Sequence, residues 1–151
     1  MRSTPFVSRG NTRFGGGLRS AVMGQISISR AISSKADADP TRIAITCGDQ
    51  RISRRDLDLR TNRLAHAYAD LGVGLGSYVT IGLPNSIEFY ASAIAAWKLG
   101  AVPQPISHRL PDRERQAIVE LAGSALVVGA DPAKHPGVTV LQRGWEPGAE
   151  Y

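Results

Sequence analysis

Cysteine is almost missing from this chain. Cys47 stands alone, so no internal disulfide can close and no thiolate cluster can hold a metal. His66, His108 and His135 lie at scattered spacings without a zinc-ligand pattern. Cys47 sits in the apolar run RIAITCGD and reads as a small buried filler. A reduced, cytoplasmic compartment is expected. No apolar run approaches the roughly 20 residues that a membrane-spanning helix needs, so no span is expected. Acidic residues are absent from positions 1–22, where Arg2, Arg9, Arg13 and Arg19 fall. Without those four arginines, the formal charge of +5 drops to +1, which leaves the rest nearly neutral. A nucleic-acid surface would need clustered cations with stacking aromatics. The nearest candidate, Arg51, Arg54, Arg55, Arg60 and Arg63, is interleaved with Asp49, Asp56 and Asp58 and reads as a solvated helix face.

What remains is an ordinary globular composition, 42% hydrophobic and 21% charged, in 151 residues. That length suffices for one domain with a real core. Residues 1–22 have no hydrophobic periodicity and a Gly15–Gly16–Gly17 run. They read as a disordered basic extension, with Met23 a candidate start; the competing reading is a targeting peptide. Residues 23–144 carry the folded pattern, and the tail at 145–151 has none and is expected to fray.

The most informative stretch is Tyr78–Ser107. Tyr78–Leu83 reads as a strand buried on both faces and closed by Pro84. Asn85 or Ser86 can cap the helix that follows. Its apolar face comprises Ile87, Tyr90, Ala91, Ile94, Ala95 and Leu99, and Gly100 stops it. Ala101–Pro105 then forms a parallel strand, which makes a right-handed crossover unit.

The same grammar extends both ways. Residues 26–38 form a weak helix ended by Asp39-Pro40. Ile43–Cys47, a turn at Gly48–Gln50 and Arg51–Ser53 form a hairpin. Ser53 with Asp56 predicts a capping box, and Leu57, Thr61, Leu64, Ala65, Tyr68 and Leu71 line a helix stopped by Gly72. Pro111 and Glu114 open a further helix, with Leu110, Ile118, Val119, Leu121 and Ala122 as its apolar surface and Gly123 as its end. Ala125–Val128 and Val138–Leu141 are the last strands. The expected fold is α/β, a parallel doubly wound sheet with an N-terminal β-hairpin.

Gly72, Gly74 and Gly76 suggest a phosphate loop only superficially. Such a loop follows a strand and opens a helix, whereas these glycines follow a helix and precede a strand. They read as a helix stop and turn.

The order of three segments resembles the opening part of an adenylate-forming enzyme, of the acyl-CoA synthetase and AMP-binding superfamily. The segments are AITCGDQRISRRDLDLRTNRLAHAYADLGV, VTIGLPNSIEFYASAIAAWKLGAVPQPIS and RLPDRERQAIVELAGSALVV. The resemblance covers about residues 26–141, and the HRLP loop leans toward ligases of fatty or bulky acids. It implies ATP and Mg²⁺, an acyl-adenylate made from a carboxylic acid substrate, and coenzyme A as the acceptor. A carboxylate is a poor electrophile, and linkage to AMP supplies a good leaving group. The family's Ser/Thr/Gly-rich loop with its lysine has no counterpart here, since Lys35, Lys98 and Lys134 all lie outside any such loop. The expectation is therefore an incomplete N-terminal part of an adenylate-forming domain, inactive alone and with no catalytic residue of its own. The alternatives are a non-catalytic α/β interaction module or a truncated gene product, with self-association through an exposed sheet edge.

Ligands of open α/β sheets bind beyond the carboxyl ends of strands, which singles out Asn85, Ser107, His108 and Arg109 as pocket candidates. His108 and Arg109 would line an acyl pocket or meet an anionic group. The plainer reading makes Asn85 a helix cap and the other three loop residues. Trp97 and Tyr90 read as core or interface filling.

Overall fold

A computed structural model describes residues 26–150. The expected basic extension at 1–22, Met23 and Tyr151 lie outside those residues. Eleven residues of helix, α1 (Ile28–Ala38), lead into a hairpin of β1 (Ile43–Cys47) and β2 (Gln50–Ser53). Then come α2 (Arg54–Asp70), β3 (Tyr78–Ile81), α3 (Ile87–Lys98), β4 (Val102–Pro105), α4 (Asp112–Ala122), β5 (Leu126–Val128) and β6 (Thr139–Leu141). A single 3-10 turn at Pro132–Lys134 links the last two strands.

The four later strands form a parallel sheet in the order β4-β3-β5-β6. The chain leaves β3 toward β4 and then returns across β3 to β5, so the winding reverses between β3 and β5. Alternation along the strands sorts the core into two layers. Val79, Ile81, Leu126 and Val128 face α2 and α3 in the main core, with Tyr68, Leu64 and Ala95. Val127 faces the other way and packs with Val119 of α4 and with Ala130. The sheet is thus doubly wound, as expected. The hairpin forms its own two-stranded sheet rather than an edge of the larger one.

Polar contacts hold the layers in register. Asp58 of α2 accepts from Ser33 of α1 at 2.8 Å and from Lys98 of α3 at 2.7 Å. Lys98 and Asp58 keep only 10% and 17% of their side-chain surface exposed. On the opposite sheet face, the Thr80 hydroxyl donates to Gln104 Oε1 at 2.8 Å. Its single proton is then used, so Ser124 donates to Thr80 across 2.7 Å.

β4 carries prolines at alternate positions, Pro103 and Pro105. Val102 N–H donates to Ser77 and Ile106 N–H to Ile81, so the even-numbered amides point at β3. The missing amides are the ones that would point outward, which is where an edge strand tolerates proline.

Several expectations are corrected. The ladder of β3 ends at Ile81 rather than Leu83, although Gly82 and Leu83 stay buried. Ser86, not Asn85, caps α3, its hydroxyl accepting from Phe89 N–H at 3.1 Å. Tyr90 turns outward and is 45% exposed. The alanines of α3 let the helix sit close to the sheet, so Ala93 and Ala96 are buried beside Ala91 and Ile94. Leu121 is 91% exposed, because α4 contacts the sheet chiefly through Val119. Cys47 is half-buried, since its hairpin lies outside the main sheet. The capping box at Ser53 is one-sided: Ser53 Oγ accepts from Asp56 N–H at 3.1 Å and bonds to the Asp56 carboxylate at 2.6 Å. The tail is anchored at its start: Trp145 packs on the core, Glu146 pairs with Arg60, and Gly144 N–H donates to Glu88 at 2.7 Å.

Candidate functional site

Parallel strands bring their carboxyl ends to one side, and the loops that follow them share an edge. Backbone bonds extend the ladder into those loops. Gly82 N–H donates to Val128 at 2.8 Å, Ile106 N–H to Ile81 at 3.0 Å and Gly129 N–H to Leu141 at 2.7 Å. Ile81 pairs with Pro105 in register, so the loops carrying Asn85 and Ser107–Arg109 leave from adjacent strand ends.

Each candidate has a definite place on that edge. Asn85 is exposed, and its carbonyl accepts a weak bond from Cys47 Sγ at 3.5 Å, which ties the hairpin to the end of β3. Ser107 Oγ accepts from Arg109 N–H at 3.2 Å and closes a local turn. Ser107, His108 and Arg109 are exposed. The fold therefore gathers these three in one turn. No hydrogen bond joins them to Asn85 among the described residues.

Arg115 escaped sequence reasoning. It is only 8% exposed, and its guanidinium donates to the carbonyls of His108 at 3.1 Å and Leu110 at 3.3 Å. A cation in the first turns of α4 thus holds the backbone of the 107–110 loop. The available signal was position: an arginine one turn after a proline-opened helix start can reach back to the preceding carbonyls.

Larger apolar space lies elsewhere. A cleft of about 660 Å³ runs between α1, the hairpin and α3, with Ile28, Ile32, Ile43, Tyr90, Ile94 and Trp97 among its walls. Tyr90 and Trp97 are therefore cleft walls rather than sealed core. None of the four candidates lines this cleft.

The described residues do not fit a triphosphate with its metal. No three His, Cys, Asp or Glu side chains converge among them. The helix starts near the strand ends are acidic: Glu88 in the first turn of α3, and Asp112 and Glu114 in that of α4. These carboxylates offset the positive helix ends that would otherwise attract phosphate. The glycines at 72, 74 and 76 join α2 to β3 and sit at the amino ends of the strands.

An open, doubly wound α/β sheet with its candidate residues on the carboxyl edge defines a class of ligand-binding enzyme domains. The chain belongs to one family of that class, the AMP-binding enzymes, whose description matches residues 32–147. It is 45% identical over 62 residues to a 2,3-dihydroxybenzoate-AMP ligase of Bacillus subtilis, covering 41% of this chain and 12% of that one. A Mycobacterium marinum medium/long-chain-fatty-acid and 3-oxocholest-4-en-26-oate CoA ligase is 36% identical over 78 residues, 52% of this chain and 14% of its own. A dimodular nonribosomal peptide synthase of Bacillus subtilis is 29% identical over 103 residues, 68% of this chain and 4% of its own. Among solved structures, the Klebsiella oxytoca NpsA N-terminal subdomain with anthranilyl-AMSN superposes with a TM-score of 0.68 at 25% identity, over 76% of this chain and 30% of that one. The Bacillus subtilis O-succinylbenzoate coenzyme A synthetase bound to AMP gives 0.67 at 23% identity, over 74% and 30%. The chain therefore spans under a third of these solved neighbours and a smaller share of the curated relatives. The resemblance to adenylate-forming enzymes holds, and the matching part is the N-terminal one.

Proposed function

We propose that these residues form the N-terminal part of an ATP-dependent ligase that joins a carboxylic acid to AMP and passes the acyl group to coenzyme A. The observation that carries this reading is the family match over 32–147, together with a fold that superposes on an N-terminal subdomain. Within that reading, Asn85, Ser107, His108 and Arg109 border the acid-binding side of the edge. Arg109 meets an anionic group there, and Arg115 positions the loop. ATP phosphates and Mg²⁺ are held by parts that these 151 residues do not supply. The polypeptide alone is therefore inactive in adenylation.

A chimera tests the reading. Residues 26–147 replace the matching segment of the 2,3-dihydroxybenzoate-AMP ligase, and acid-dependent ATP–pyrophosphate exchange is measured with aryl and fatty acids. Exchange by the chimera supports the assignment, and the acid preferred separates an aryl from a fatty ligase. A folded chimera without exchange on any acid overturns it. Robust exchange by the 151-residue polypeptide alone overturns the claim of inactivity.

A second reading, a non-catalytic module that associates through its uncovered face, is favoured by exposed Tyr78, Val102 and Leu121. Sedimentation that finds only monomer at high protein concentration would remove its basis.

A further inference from the structure

His135 is a buried histidine without a partner. It follows the 3-10 turn within the strap that joins β5 to β6 and is only 2% exposed. Neither Nδ1 nor Nε2 has a hydrogen-bond partner. Native proteins pair almost all such groups, so an unpaired ring calls for an explanation. The strap itself is lightly held. Asp131 accepts from Ala133 N–H at 3.0 Å, His135 N–H donates to Pro132 at 3.2 Å, and Lys134 meets Asp112 of α4 at 3.9 Å. Beyond the strap, β6 contributes three residues to the edge of the sheet. A cleft of about 170 Å³ with Gln116, Glu120, Ser124 and Gly137 in its wall borders His135, whose ring nitrogens stay buried while the strap is closed.

The charges around the ring set the direction of the response. Burial opposes the imidazolium most strongly, and the Arg115 guanidinium of α4 adds to that opposition. Asp112 of α4 and Asp131 of the strap favour it but are outweighed. Glu120, in the wall of the neighbouring cleft, already accepts from Gln116 at 2.9 Å. Lys134 is engaged with Asp112. With the strap closed, a protonated ring has two donors and no acceptor. With the strap open, both donors reach water.

We propose that His135 is a pH-sensitive latch: it closes the 129–138 strap onto α4 when neutral, and its protonation releases the strap together with β6. The sign follows from linkage. The closed state disfavours the proton, so the open state binds more protons below the ordinary histidine range, and acid drives opening. Each pH unit below about 6.5 shifts the opening equilibrium by up to about tenfold, until the ring in the closed state titrates as well. Release exposes Val119, Val127 and Ala130 of the second core layer and withdraws Leu141 of β6 from the main core.

The test uses the full 151-residue chain. NMR titration follows the His135 imidazole. Hydrogen exchange at residues 130–141, corrected for intrinsic pH dependence, is compared at neutral and acid pH for the wild type and for His135→Gln. His135 titrating below the ordinary histidine range, with strap exchange rising several-fold to tenfold on acidification in the wild type only, is the expected result. His135 titrating in the ordinary histidine range, or strap exchange that does not depend on pH, overturns the latch. An equal rise in a folded His135→Gln protein also overturns it. If that variant does not fold, the wild-type titration and exchange decide alone.

Discussion

Replacing Asp58 with alanine should be the most damaging single change on the α1–α2–α3 face. The carboxylate is the shared acceptor of Ser33 at 2.8 Å, Lys98 at 2.7 Å and Asn62 at 3.3 Å. Burial pushes its pKa up, but the bonds from Lys98 and Ser33 and the Lys98 charge outweigh that and hold it below the ordinary value of 3.8. A hydrogen bond to a charged group contributes about 1.5–3 kcal/mol, and losing one partner of a fully buried pair costs about 3–5 kcal/mol. Here both partners keep some exposure, and the Lys98 ammonium still donates to Asn62 Oδ1 at 2.5 Å, so part of the loss is recovered. The expected loss for Asp58→Ala is about 2–3 kcal/mol, which at a urea slope of roughly 1–3 kcal/mol/M moves the midpoint by about 1–2 M. Lys98→Met should cost less, because Asp58 retains Ser33 and Asn62. The double variant should be milder than the sum of the two, with a coupling of about 1–2 kcal/mol. The contribution has a definite pH window. The folded carboxyl has the lower pKa, so its stabilisation is full above about 3.9 and fades as the pH falls through the folded value. Urea midpoints for the four proteins, at neutral pH and near pH 3, provide the assay. Additive single effects at neutral pH, or a wild-type advantage that survives unchanged near pH 3, would refute the reasoning.

Other outcomes follow from single positions. Gly100→Val should destabilise by about 2 kcal/mol in a urea melt, since its φ of +69° lies in the left-handed region. Gly129→Ala should cost more than Gly100→Ala. At Gly129 a Cβ would lie 2.6 Å from buried Leu83 and 3.1 Å from the Gly82 carbonyl oxygen, whereas at Gly100 it meets the movable Leu75. Paired urea melts of the two alanine variants check the order, and equal losses would contradict it. Burial raises the Tyr68 phenol to about 12. The folded state thus keeps it neutral, and its stabilisation fades as pH rises from the unfolded value near 10 toward 12. The ultraviolet tyrosinate signal of the wild type minus that of Tyr68→Phe should show a step close to pH 12.

Local rules made much of this fold legible. The spacing of Leu57, Thr61, Leu64 and Tyr68 placed α2 and its buried face, because a 17-residue helix samples the period many times. The glycines after α3 and α4 marked their ends, since a positive φ there leaves few alternatives. What stayed hidden depends on distant partners. Leu121 carries the same apolar signal as Val119, but two positions apart on a helix they point to opposite sides, and only the packing of α4 on the sheet decides which is covered. Trp145 sits in a stretch without periodicity, and it packs only because α2 and α3 leave a surface for it. For the site, topology placed Asn85 and Ser107–Arg109 on one edge, as strand ends must. The Arg115 contacts had only a positional signal, a cation one turn inside α4 and within reach of the carbonyls just before it. The unpaired ring of His135 was not readable, because it arises where the strap between β5 and β6 packs on α4.

The alternating prolines of β4 give the sheet a direction of growth. A strand added outside Pro103 and Pro105 could donate hydrogen bonds but would receive none from those two positions. The margin of β6 has no such gap in its sequence, Thr139-Val140-Leu141. Extension of the sheet, whether by more of the same domain or by another copy, is thereby channelled to the β6 side, and the β4 side is a terminus written into the covalent chain.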